Sequence, residues 1–143
     1  MKNRNLKVDD NWATPPEFYN RLNDEFKFDF DPCPYCEGDL NFDGLAVDWG
    51  QSNFINPPYS RVLKEKFVIR AIEESKDGKL CVMLLPVSTS TKLFHDHIKP
   101  NAKDIRFVKG RIKFQKILSD GSRFTPKNGG MHDSMIVVFN GKI

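Results

Sequence analysis

Asn56-Pro57-Pro58-Tyr59 is the stretch of this chain whose residue types could do chemistry. It follows the apolar pair Phe54-Ile55 and precedes residues with helical periodicity. Two consecutive prolines fix φ at about −65° and remove two N–H donors. The residue before a proline is kept out of the helical region, so Asn56 is expected to be extended. The segment is therefore stiff, with carbonyls able to act as acceptors, an amide at one end and an aromatic ring at the other. Such a set could grip a flat, amino-bearing ring, with acceptors for the –NH2 and a π-face for the plane. The same four residues also suit a plain rigid strand end, and on their own they leave both readings open.

Other reactive side chains form weaker patterns. Cys33 and Cys36 have the spacing of two metal ligands, but zinc needs two more. Cys81 lies in an apolar run, and His95 and His97 stand two apart on an expected helix, where side chains diverge. No metal site is expected, and no nucleophile triad is visible.

The elements that position the tetrapeptide can be read from periodicity. Pro15 or Pro16 opens a helix with Thr14 as its N-cap, and Phe18, Leu22 and Phe26 fall on one face of residues 17–26. Residues 26–31 alternate apolar and polar and read as a strand ending at Asp31-Pro32. Residues 52–55 form a second strand, and residues 61–76 a helix with Leu63, Phe67, Ala71 and Ile72 on one face, stopped by Asp77-Gly78. Residues 80–85 are continuously apolar, as in a strand buried on both faces. Residues 88–98 read as a helix closed by Pro100. Residues 104–108, 111–114 and 134–139 read as strands, and residues 117–131 as a polar excursion. Alternating strands and helices predict an α/β fold with a mostly parallel sheet, helices on both faces and a C-terminal antiparallel hairpin. Ligands of such sheets bind beyond the carboxyl ends of the strands. Asp31-Pro32 and Asn56–Tyr59 both sit at such ends, so neighbouring strands would bring them to one crevice.

At 143 residues the chain is the size of one domain, with 39% hydrophobic and 29% charged residues. Residues 1–11 are expected to be a flexible polar segment and residues 12–143 a single domain. No membrane-spanning run, no apolar export signal and only three cysteines fit a cytoplasmic protein with reduced thiols. The net charge is only +3, but it is unevenly placed. Acidic side chains dominate residues 1–60, and Lys and Arg dominate residues 99–143. A basic half suits a polyanion such as nucleic acid; a solvated lysine-rich face is the other reading.

The ordered motifs resemble the small phage-type DNA N6-adenine methyltransferases, which use S-adenosylmethionine. Trp12-x-Thr14-Pro15-Pro16, Phe28-Asp-Phe-Asp31-Pro32-Cys33, Asp43-Gly44-Leu45, Asp48-Trp49, Asn56–Ser60, Leu84-Leu85-Pro86 and Gly110-Arg111-Ile112-Lys113-Phe114 match that family's elements in order. The resemblance spans residues 11–140 or so. It implies a Rossmann-like class I methyltransferase domain. It implies that Asn56 and the Pro57 carbonyl accept the two hydrogens of an extrahelical adenine, with Pro58 stiffening the turn and Tyr59 stacking on the ring. It places the cofactor near Trp12, Thr14, Pro15, Asp31, Pro32 and Cys33, with Asp31 toward its ammonium and Asp43 or Asp48 toward its adenosine. With no room for a separate target-recognition domain, DNA contacts are expected from Lys113, Lys116, Arg123 and Lys127, or from a second subunit. The implied setting is the cytoplasm of a bacterial or phage-infected cell. Many methyltransferases carry a Gly-rich loop after the first strand; residues 31–38 here offer only Gly38. The rivals are methylation of a protein glutamine amide or of RNA adenine, and a non-catalytic nucleic-acid-binding module on the same fold.

Overall fold

The computed structural model describes residues 12–34, 43–118, 120–126 and 132–141. The N-terminal segment 1–11 lies outside them. Helix α1 (Pro16–Phe26) opens with Pro15 and Pro16, whose fixed φ suits first positions where an N–H has no helical partner. It stops at Lys27, which turns left-handed (φ 55°) as its N–H donates to the Asn23 carbonyl. That break interrupts the expected 26–31 strand. What remains is one parallel bridge, Phe30 to Asn53, with the Phe54 N–H donating to the Phe30 carbonyl at 3.1 Å.

Strand β1 (Ser52–Ile55), helix α2 (Arg61–Lys76) and strand β2 (Leu80–Pro86) form a βαβ unit. β1 and β2 run parallel from Ser52–Leu80 to Ile55–Met83. α2 ends where Gly78 adopts φ 95°, a conformation that glycine takes at little steric cost. Helix α3 begins later than its apolar pattern predicts, as a π-helical stretch Leu93–Ile98 that continues into an α-helical turn Lys99–Asn101. Ser88 to Thr91 instead form a turn, and the Thr91 hydroxyl accepts the Phe94 N–H. Pro100 does not close the helix; it sits in that final turn.

Strands β3 (Asp104–Phe107), β4 (Lys116–Ile117), β5 (Arg123–Phe124) and β6 (Ser134–Asn140) complete the fold. The main sheet has the order β1-β2-β6-β3, and β4 pairs with β5 as a separate small hairpin. A mostly parallel sheet was expected; the sheet is mixed. Only the β1–β2 ladder is parallel, because β6 runs back between β2 and β3 and pairs antiparallel with both. β1, β2 and β3 consequently share one direction. The expected hairpin strand at residues 111–114 forms no ladder. It keeps its alternation, with Ile112 and Phe114 buried and Arg111 and Lys113 exposed.

Helices cover both faces, as the continuous apolar strands require. In β2, Cys81, Met83 and Leu85 join the core under α2 and α3, and Val82 and Leu84 join the core that includes Leu22 of α1. Among the described residues no helix is long and apolar enough to cross a membrane.

Candidate active site

The chain leaves β1 at Ile55 and immediately meets the two prolines, both buried and without N–H groups to continue a ladder. Asn56 is thereby aimed off the carboxyl edge of the sheet. Its side-chain Nδ2 donates to the Trp12 carbonyl (3.1 Å) and to the Thr14 hydroxyl (3.1 Å). Both amide hydrogens are committed, so Oδ1 is presented as an acceptor, and no described residue donates to it. Thr14 does not cap α1, as its position before the prolines suggests; Pro15 occupies the cap and the Thr14 hydroxyl serves Asn56 instead. The Trp12–Thr14 stretch is held in place by Ala13, which exchanges two backbone bonds with Gln115 (2.8 and 3.0 Å).

Tyr59 follows the prolines with its ring between two edge-on neighbours, Phe114 (6.1 Å between centroids, 84°) and His132 (5.8 Å, 79°). Its hydroxyl is buried and has no partner among the described residues. Burial pushes that hydroxyl well above the usual phenol range, so it stays neutral.

Phe30 neighbours β1 in parallel, so Asp31 emerges at the same sheet edge as Asn56. Its Oδ1 accepts the Cys33 N–H at 2.8 Å, and burial pushes its carboxyl up to about 6. Asp31, Cys33, Trp12, Thr14 and Asn56 all line one cavity of about 400 Å³. Tyr19 and Asn20 of α1 and Ile117 and Arg123 of the β4–β5 hairpin complete much of its wall, four positions that sequence reasoning did not assign to the cofactor. Pro15 and Pro32 do not line it; each stands next in sequence to residues that do, and Pro32 is fully buried.

The remaining expected residues lie off this cavity, at its rim or outside the described residues. Asp43 and Asp48 do not line the cavity. The 43–50 stretch is drawn onto α2, because Arg70 donates to the carbonyls of Leu45 and Val47 and lies over the Trp49 ring. Asp48 is left exposed, and Asp43 accepts the Leu45 N–H. Lys113 is exposed. The Lys116 ammonium sits 4.1 Å from the centre of the Trp12 ring, and Arg123 donates to the Thr14 carbonyl, so both lie against the cavity wall. Lys127 and Cys36 fall outside the described residues. No group of three or more His, Cys, Asp and Glu gathers among those described. A second cavity of about 550 Å³, with Leu93 and Phe94 in its wall and Arg61, Lys64 and Lys92 beside them, lies between α2 and α3 and contains none of the expected residues.

This arrangement can do two things. The Asn56 amide can accept from an amino group, and the cavity can hold a cation at Asp31 beside an aromatic wall. No curated protein matches the chain. The family model of DNA N-6-adenine-methyltransferase (Dam) matches residues 2–142, nearly the whole chain. The chain therefore belongs to the DNA N-6-adenine-methyltransferase (Dam) family.

Proposed function

We propose that this protein transfers the methyl group of S-adenosylmethionine to the N6 amino group of adenine in DNA, with the cofactor in the Asp31 cavity and adenine at Asn56 and Tyr59. The observation that carries the reading is the Asn56 amide, whose two donors are tied to Trp12 and Thr14 so that its oxygen faces outward as an acceptor. Three like-directed strands, helices on both faces and a crevice at the carboxyl edge support a Rossmann-like class I arrangement in one domain covering residues 12–143. The cytoplasm of a bacterial or phage-infected cell is the setting we infer.

The cavity suits the cofactor. Its volume lies in the range of small-molecule sites. The Asp31 carboxyl is largely desolvated, with no cation shifting it among the described residues, and an incoming ammonium would stabilise its charged form. Trp12 offers an aromatic face. When bound, S-adenosylmethionine supplies an electrophilic methyl on a sulfonium that leaves as a neutral thioether.

The residues of the chain then divide the work. Asn56 Oδ1 and the Pro57 carbonyl accept the two amino hydrogens, which localises the nitrogen lone pair for attack. Pro57 and Pro58 keep these acceptors from drifting, and Tyr59 gives the ring a stacking surface, with Phe114 as a neighbouring wall. Base–aromatic stacking of this kind is worth about 1–3 kcal/mol. The amino group sheds its surplus proton to solvent once the new N–C bond has formed. Most of the acceleration comes from positioning.

The test is incubation with labelled S-adenosylmethionine and DNA, followed by nucleoside digestion. Label should appear in N6-methyladenine. Asn56→Ala should lose about 100-fold or more of the rate, the scale for deleting one preorganised hydrogen-bonding group, with little change in melting temperature. Near-normal turnover by that variant sinks the reading. Label in protein alone selects a glutamine acceptor, label in RNA alone an RNA adenine. DNA binding without label marks a non-catalytic module.

A further inference from the structure

The β4–β5 hairpin carries two cations that lie against the cavity wall, Lys116 over Trp12 and Arg123 on Thr14. Arg123 lines the same cavity as Asp31 and Asn56. Its Nη1 donates to the Thr14 carbonyl (3.4 Å) and to Gln115 Oε1 (3.2 Å). It forms no ion pair among the described residues, and its Nε and Nη2 carry no hydrogen bond there. A guanidinium therefore lines the cavity, held by two neutral acceptors on one nitrogen, with its other donor edge unused.

We infer that Arg123 binds the α-carboxylate of the cofactor's amino-acid end through Nε and Nη2, while Asp31 takes the ammonium on the same carbon. The inference rests on reading the cavity as the S-adenosylmethionine site. S-Adenosylmethionine has a single anionic group, so an arginine in its cavity has one group to pair with. The guanidinium fork matches a carboxylate with two parallel N–H···O bonds. The bonds to Thr14 and Gln115 fix the side chain before the ligand arrives, which lowers the cost of ordering it. Asp31 is raised by burial with no cation opposing the shift, so Arg123 does not neutralise it and the two charges serve separate groups.

The carboxylate is the same before and after methyl transfer. Arg123 is thus a positioning residue whose contribution is uniform, and its loss should raise the KM for the cofactor with little change in kcat. The decisive experiment is calorimetric titration of the wild-type protein, Arg123→Gln and Arg123→Lys with S-adenosylmethionine and with its decarboxylated analogue. Arg123→Gln should weaken S-adenosylmethionine by about tenfold or more, the scale of a charge-assisted hydrogen bond, and leave the analogue unchanged. Arg123→Lys should recover part of the loss. Arg123 is exposed at the surface of the hairpin, and melting curves of the variants should overlay the wild type. Equal loss for both ligands, or loss for neither, overturns the inference while leaving the cavity reading intact. A variant that keeps cofactor affinity but has a flatter salt dependence of DNA binding makes Arg123 a phosphate contact and also overturns it. Failure of the wild type to bind either ligand overturns the cavity reading itself.

Discussion

Asp31→Asn should make the cofactor-free protein more stable and leave it unable to hold its cofactor. Asp31 is half-buried, accepts one backbone bond from Cys33, and has its carboxyl pushed up by desolvation to about 6 from the usual 3.8. In the unfolded chain the same carboxyl titrates at its ordinary value, so the folded state holds this proton more tightly. Its contribution to stability is therefore fully present below about pH 4 and is lost as pH rises through about 6. The gap between the two values corresponds to about 3 kcal/mol at neutral pH, and solvent in the cavity screens part of it. Asparagine keeps the shape, still accepts the Cys33 N–H and carries no charge. Urea unfolding of the two cofactor-free proteins should show the variant ahead by ~1–3 kcal/mol at about pH 8, a shift of several degrees in melting temperature. The curves should converge by about pH 4. The same carboxylate is needed for the ammonium, so wild-type affinity for S-adenosylmethionine should fall as pH drops through about 6, and the variant should bind weakly throughout. A variant less stable than wild type at high pH, or a difference that ignores pH, refutes the reasoning.

Two further predictions test how the crevice is braced and which thiols it exposes. A Cβ on Gly44 would lie 1.8 Å from the Pro32 carbonyl oxygen, so Gly44→Ala must displace the Asp31–Cys33 exit. The expected cost is about 1–3 kcal/mol of stability, together with weaker cofactor binding; unchanged calorimetric affinity would show that this contact does not shape the cavity. Cys81 is fully buried with its thiol pushed up to about 12, whereas Cys33 lines the cavity. Peptide mass spectrometry after alkylation of the folded protein should find Cys33 modified, more slowly with S-adenosylmethionine present, and Cys81 untouched. Equal labelling of both would contradict the buried placement of β2.

Local pattern carried the sequence reading where local forces decide the structure. The apolar positions Leu63, Phe67, Ala71 and Ile72 put α2 at residues 61–76, where it is found, and the unbroken run in β2 announced a strand covered on both faces. Strand polarity put Asn56 and Asp31 at carboxyl ends, to meet in one crevice if their strands were neighbours, and the Phe30–Asn53 bridge supplies that neighbourhood. Non-local pairing left no such trace. Nothing in residues 134–140 states that they slip between β2 and β3, since an apolar strand reads alike whichever neighbours it finds. Thr14 before two prolines has the chemistry of a cap, and only the folded chain reveals that its hydroxyl orients Asn56. Lys116 and Arg123 belong to a basic stretch, and charge alone does not reveal that one lies over Trp12 and the other reaches Thr14. Phe114 was legible as part of a motif, but its place beside Tyr59 depends on a segment with no ladder of its own.

The placement of β6 governs the order in which this protein can be completed during synthesis. It is the last of the described strands and an inner one in the sheet, flanked by β2 and β3. A ribosome releases β1, α2, β2 and β3 well before residues 134–140 emerge. Through that interval β2 has one bare edge along Leu80–Pro86 and β3 has no partner, the kind of open apolar template that invites pairing with other chains. Insertion of β6 closes both edges at once and joins the β3 side of the molecule to the βαβ half that carries Asn56. A nascent chain shorter than this slot requires already contains every residue of the tetrapeptide, yet it lacks the strand that locks the surrounding sheet.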